Sequence, residues 1–154
     1  MKDNPRAIIA YIAGRLISKT DKSSVYDYYQ SKYILINGSL DTNRVNVYDY
    51  DEKCHLTGNG NKGNYNLYHY GNSHHINLKI EGNSFSGYDY GSSCHFSGKI
   101  NGNSISIYDY ENSSYYNYSI WKIILSLYSV DIVTYINIKK WKKHYYLQPS
   151  SWHY

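Results

Sequence analysis

Tyr-x-Tyr recurs at Tyr48/Tyr50, Tyr68/Tyr70, Tyr88/Tyr90 and Tyr108/Tyr110, a strict period of 20, and an earlier copy, Tyr26/Tyr28, precedes the first by 22. The middle residue is Asp27, Asp49, Asp89 or Asp109, with His69 as the exception. Six positions after the last four middle residues come His55, His75, His95 and Tyr115. A fixed period of this length means one supersecondary unit copied several times. The leucine-rich pattern, which shares the length range, is absent.

The unit itself reads as an antiparallel hairpin. In the last copy Ile105–Tyr110 is a first strand, 111–114 a loop and Tyr115–Ile120 a second strand; the matching inter-unit loops are "NGNS" at 101–104 and "EGNS" at 81–84. Asn-Gly between alternating apolar positions is a strong hairpin signal. The 22-residue first copy predicts a longer loop around "SLDTNR". With four-residue loops, Ile100 faces Ile105 and Tyr90 faces His95.

Strand side chains alternate between faces. One face then carries Phe85, Phe96, Ile100, Ile105 and Ile107 with Val45, Val47, Leu56, Leu67, Ile76 and Leu78; the other carries Tyr88, Tyr90, Tyr108, Tyr110, His95 and Ser97. A one-residue slip in a loop would regroup the faces and set Asp89 opposite His95. Five copies supply about ten strands, and a twisted sheet of that size curls or closes. Closure also removes edges through which such strands aggregate. The expected fold is all-β, an antiparallel hairpin-repeat barrel with its apolar side inward and a helix at the N-terminus. A β-helix, or solenoid, with 20-residue coils is the alternative.

Three segments follow: 1–24, a helix and linker; 25–120, the barrel; 121–154, a tail outside the repeat. In the first, "PRAIIAYIAGRLIS" has Pro5 at a first turn and Ile8, Ile9, Ile12 and Leu16 near one stripe. Ala7, Ala10, Ala13 and Gly14 keep the rest slim. Such a helix can plug or cap a barrel, or pack on its outside or rim.

Charge separates the tail from the repeats. Residues 1–120 hold 11 Lys/Arg and 11 Asp/Glu, so the net charge of +4 resides in residues 121–154. A nucleic-acid footprint needs Lys/Arg spread over a face, and the neutral repeats argue against that partner. Residues 120–138 run "IWKIILSLYSVDIVTYINI" and lead into "KKWKKHYY". An apolar run with a basic-aromatic flank suits a membrane anchor, while Lys122, Asp131 and Asn137 oppose a true span. An interfacial segment, a packed element and an accidental extension of the reading frame are the other readings. Membrane contact is assigned to Trp121, Lys139, Lys140, Trp141, Lys142 and Lys143.

"AYIAGRLIS", "YHYGNSHHINLKI", "GYDYGSSCHFSGKINGNSISIYDY" and "SSYYNYSI" resemble a group of small bacterial Tyr-Asp-Tyr hairpin-repeat proteins of the β-flower type. The match covers about residues 7–120. The resemblance implies a shallow symmetric barrel of hairpin petals, similar in outline to the Tubby C-terminal barrel, and by that analogy lipid binding. It carries over no catalytic residue, no lipid-contacting basic motif and nothing about residues 121–154.

The chemistry legible in the residues is modest. The Asp set reads either as a carboxylate ring for cations or as turn chemistry, in which Asp accepts nearby backbone N–H groups; the second is favoured. Cys54, His74 and Cys94 share one repeat position, but adjacent Cys-His pairs diverge on a strand and ligands two repeats apart are about 19 Å apart. No metal site, disulfide or cofactor is expected. With no convincing signal peptide, the thiols are expected reduced in a cytoplasm, with the chain peripheral to a membrane if the tail binds one. An acid–base pair copied four times is not how active sites are built, so the chain is expected to be no enzyme. The leading expectation is a binding protein for a lipid or other apolar or amphipathic ligand. Phe85, Phe96, Ile100, Ile105 and Ile107 with Tyr88, Tyr90, Tyr108 and Tyr110 are the candidate ligand residues. The alternative is a soluble recognition module using its Tyr/Asn/Ser face for glycans or proteins, since such surfaces combine contact area with adaptable hydrogen bonding.

Overall fold

A computed structural model describes residues 1–123. Helix α1 (Asp3–Ser18) precedes ten strands: β1 (Ser24–Asp27), β2 (Lys32–Leu40), β3 (Arg44–Asp49), β4 (Cys54–Asn61), β5 (Asn64–His69), β6 (His74–Glu81), β7 (Ser84–Asp89), β8 (Cys94–Asn101), β9 (Ser104–Asp109) and β10 (Ser114–Trp121). Every strand pairs antiparallel with its neighbour in the chain, and β1 pairs with β10, so the sheet closes into a barrel. The solenoid alternative fails on this pairing: Tyr68, Tyr88 and Tyr108 stand on alternate strands instead of stacking on adjacent ones. Helix and barrel form one compact unit, Met1–Ile123, so the helix is not a separate segment. Of the six residues expected to touch a membrane, only Trp121 belongs to the described part; Lys139, Lys140, Trp141, Lys142 and Lys143 lie outside it. No helix among the described residues is long and apolar enough to cross a membrane.

Two kinds of turn alternate around the barrel. At one end β6–β7 and β8–β9 are joined by Gly82-Asn83 and Gly102-Asn103, with φ of 60° and 59° at the glycines. Glycine first in a two-residue turn is what a II′ hairpin needs. The signal in "NGNS" is therefore its Gly-Asn half, and Asn101 remains in the ladder opposite Ser104. The first copy is longer, as expected: β2 has nine residues and the turn 41–43 has three.

At the other end a four-residue turn follows each Tyr-x-Tyr centre. It begins one residue earlier than expected. Tyr88, not Tyr90, faces His95, while Ile100 does face Ile105. The cause is the central Asp: Asp89 Oδ1 accepts the Gly91 N–H at 3.0 Å, and Asp49 and Asp109 accept the N–H of Asp51 and Glu111 in the same way. The side chain takes the place of a ladder partner and turns the chain out of the sheet. Both strands of each hairpin shift by one, so the assignment of faces survives.

The inward residues form the core around α1. Pro5 through Gly14 are buried on all sides. Ala7, Ile8, Ile9, Ala10, Tyr11, Ile12 and Ala13 are each 0 % exposed. A helix apolar all round belongs in an interior, and small residues let it fit: a Cβ on Gly14 would lie 3.1 Å from Ile105 Cδ1. The helix therefore plugs the lumen. Its direction is matched to the barrel ends. Its N-terminus lies among the inward carboxylates of the four-residue turns, where the helix dipole favours negative charge. Its last turn closes through Lys19, left-handed at φ 53°, whose N–H reaches Arg15 O at 2.9 Å.

Candidate functional site

The closed sheet offers two places for chemistry, the plugged mouth and the outer wall. At the mouth Asp27, Asp49, His69, Asp89 and Asp109 point inward and are at most 2 % exposed. Their first task is turn closure; the Gln30, Ser92 and Asn112 side chains add to it at Asp27, Asp89 and Asp109, and the N-terminal segment and α1 reach Asp49, His69 and Asp109. Arg6, fully buried, donates to Asp109 Oδ2 at 3.1 Å, Tyr118 Oη at 2.8 Å and Asp3 Oδ1 at 2.5 Å. The amino group of Met1 pairs with Asp109 at 3.1 Å and with Glu111. Burial, only partly offset by Arg6, raises the Tyr118 phenol above its ordinary range. The carboxylates are thus consumed by their own turns, with the helix added at Asp49 and Asp109, which is the turn-chemistry reading and not a cation ring.

His69 replaces an Asp in this ring and does the same work with a neutral ring. Its Nδ1 accepts the Asn72 N–H at 3.0 Å, so Nε2 carries the proton and donates to Asn4 Oδ1 at 2.8 Å. The Asn4 amide in turn donates to Asp49. The His74 ring stacks on His69 with centroids 5.6 Å apart. His74 Nε2 lies 2.8 Å from Asp89 Oδ1, off the line of a hydrogen bond. Burial, then the neighbouring His74, lowers the His69 pKa from 6.5 to about 4. The unfolded chain therefore binds a proton that the folded one refuses between those values. His69 costs stability as pH falls from about 6.5 to about 4 and has no effect above that window. His69→Asn keeps an acceptor for the turn, and we expect it to remove about 2 kcal/mol of acid-induced destabilisation. Urea midpoints at pH 7.5 and 4.5 check this; an equal pH dependence in both proteins would refute the assignment.

The Asp–His recurrence builds no acid–base pair, because Asp and His occupy opposite faces. Asp89 faces the lumen opposite Cys94, whereas His95 stands outside opposite Tyr88. The His74–Asp89 contact links neighbouring inward positions, and the spacing rule does not reveal it. Cys54 and Cys94 are free thiols on β4 and β8, the first buried; burial, and Asp49 next, push the Cys54 thiol up.

On the outer wall each repeat builds one aromatic triad. Tyr48 lies between Tyr50 and His55, with centroids 4.9 and 4.8 Å away and rings edge-on. Tyr68 with Tyr70 and His75, and Tyr88 with Tyr90 and His95, repeat it. Tyr108 does so with Tyr110 and Tyr115, and Tyr26 with Tyr28 and Tyr33. The two tyrosines of a triad have different work. Tyr88 and Tyr108 are half-buried cross-strand partners that tie hairpins together at about 0.5–1.5 kcal/mol per contact. Tyr90 and Tyr110, each 54 % exposed, stand at the rim with Tyr28, Tyr50 and Tyr70 as a girdle of exposed rings. The other candidate ligand residues lie elsewhere. Phe85, Phe96, Ile100, Ile105 and Ile107 are at most 5 % exposed and belong to the same core cluster as α1. Two grooves, of about 530 and 660 Å³, cross the wall over β6–β10 and β4–β8 and share Lys79 and Ser86.

Comparison with known protein families, with curated proteins and with solved structures finds no match for this chain.

Proposed function

We propose that the chain is a non-enzymatic recognition module that binds glycan or protein partners through the Tyr/Asn/Ser outer wall of its barrel. The observation that carries this reading is the helix in the lumen. The apolar face suited to an acyl chain is already packed on Ala7–Gly14, and the grooves of about 530 and 660 Å³ among the described residues open on the outer wall. That wall repeats an exposed tyrosine five times among Asn and Ser side chains. Tyrosine supplies contact area with few rotamers to freeze, and Asn and Ser supply donors and acceptors that adapt to a partner. The lipid reading keeps its support in the resemblance and in the basic tail.

Solvent extraction of the purified chain followed by lipid mass spectrometry separates the two, together with flotation on anionic vesicles of the full chain and of residues 1–123. The expected result is no stoichiometric lipid and no flotation of residues 1–123. An acyl lipid recovered at one per chain from residues 1–123 would overturn the proposal. Flotation that needs residues 124–154 would assign membrane contact to the tail alone.

A further inference from the structure

We infer that the groove over β4–β8 is a binding site for a neutral saccharide. This rests on the reading of the outer wall as the recognition surface. Cross-strand pairing lines up one row of side chains: Asn59 faces Asn66, Asn66 faces Asn77, Asn77 faces Tyr88, and Tyr88 faces His95. Neighbouring strands are about 4.8 Å apart, so three amides stand side by side and end on an aromatic pair. The equivalent rows of the other four repeats lead to their aromatic pairs through Asn37, Thr57, Ser97 or Ser119. Among the described residues only this row carries three consecutive amides. A quasi-symmetric wall with one distinct row has one candidate for a specific site.

The chemistry of the row selects the ligand. All five residues line a groove of about 660 Å³, within the range of small-ligand clefts. The side chains of Asn59 and Asn66 make no hydrogen bond among the described residues, and that of Asn77 has a single long one to Tyr90 Oη at 3.3 Å. An amide both donates and accepts, which matches hydroxyl groups that do the same. The cation in the groove, Lys79, is paired with Glu81 at 2.6 Å, so the site offers no net charge to a sulfate, carboxylate or phosphate. Tyr88 and His95 at the end of the row provide an apolar surface for the C–H face of a pyranose ring. Hydroxyl edge to the amides and C–H face to the rings is a demand that a neutral sugar meets, and a polyanion or an acyl chain does not.

The test is an array of neutral, sialylated and sulfated oligosaccharides probed with the full-length chain, followed by calorimetry on the hits. Asn66→Leu/Asn77→Leu is compared with Asn117→Leu on β10, outside the groove, after both are matched to the parent by thermal melting. Where the leucine pair does not fold, Asn66→Ser/Asn77→Ser replaces it. The expected result is binding of neutral sugars, weakened roughly tenfold or more by the groove pair and unchanged by Asn117→Leu. Neutral sugars bound equally by both variants would overturn the groove assignment while leaving the wall as the recognition surface. Binding of acidic sugars only, or of none, would overturn the saccharide inference. Failure of the recognition reading itself would appear separately, as lipid recovered from residues 1–123.

Discussion

A chain that begins at Thr20 is expected to lose the barrel. Ile8, Ile9, Tyr11 and Ile12 are each 0 % exposed, and burying such side chains is worth about 1.5–3 kcal/mol apiece. Four of them supply roughly 6–12 kcal/mol, as much as the entire stability of an ordinary domain. The inward faces of Leu56, Leu67, Ile76, Phe96 and Ile107 would lose their packing partner at the same time. Water does not replace it, because a lumen lined by apolar side chains gives water no partners. Far-UV circular dichroism and a urea titration of residues 20–154 check this, with a synthetic peptide of residues 1–19 added in trans. Loss of the cooperative transition, restored in proportion to peptide concentration, is expected. A truncated chain with the parent's urea midpoint would show that the strands close without their plug. Ile12→Asp in the full chain is expected to act in the same direction, as an unpaired charge in the core.

The second large effect concerns glycine. Four cross-strand pairs on the inner face each join one glycine to one large residue: Gly38 to Val47, Gly58 to Leu67, Gly87 to Leu78 and Gly98 to Ile107. In the third pair the order is reversed. Strands approach too closely there for two side chains. A Cβ on Gly58 would lie 2.1 Å from Asn66 O, and one on Gly87 2.0 Å from Asn77 O. Gly58→Leu is expected to cost about 3 kcal/mol by overpacking against backbone, and Leu67→Gly about 3–5 kcal/mol by leaving a cavity. The double variant copies the arrangement of Leu78 and Gly87. Glycine at 67 leaves that strand free to shift away from the new side chain, so the double variant is expected to recover at least about half of the summed loss, a coupling that independent sites do not show. Additive losses in urea titrations would mean that the reversed pair depends on other neighbours, such as Phe96 beside Gly87.

Much of this architecture is legible in the residues. The period of 20 specifies the hairpin unit, and alternation around Ile105, Ile107, Phe96 and Ile100 separates core from wall. Turn position was less legible, because the Asp in "YDYGSS" signals a turn without saying whether the ladder ends on it or one residue later. The Asp89 side chain ends it by accepting a backbone N–H two residues on. The helix position was open as well: Ile8, Ile9, Ile12 and Leu16 suggest one sticky stripe, yet Ala7, Ala10 and Ala13 are just as buried. Their small size, not their hydropathy, is the signal for a lumen. The exchange of glycine with a large residue nine positions on is visible in the string only once the pairing is known. The His69–His74–Asp89 cluster spans two hairpins and follows no spacing rule. On the wall, the candidate tyrosines divide by exposure, which a repeat of identical letters conceals.

The pairing of β1 with β10 has a consequence for how this chain can change over generations. Open repeat arrays lengthen or shorten one unit at a time, because each unit touches only its neighbours. Here the first unit is also the neighbour of the last. A sixth hairpin would widen the circumference by two strand widths, leaving a gap around a helix trimmed by alanine and glycine. A fourfold version would leave that helix no room. Copy number and helix girth are therefore one inherited trait, and a duplication within the ring would have to arrive together with a new plug.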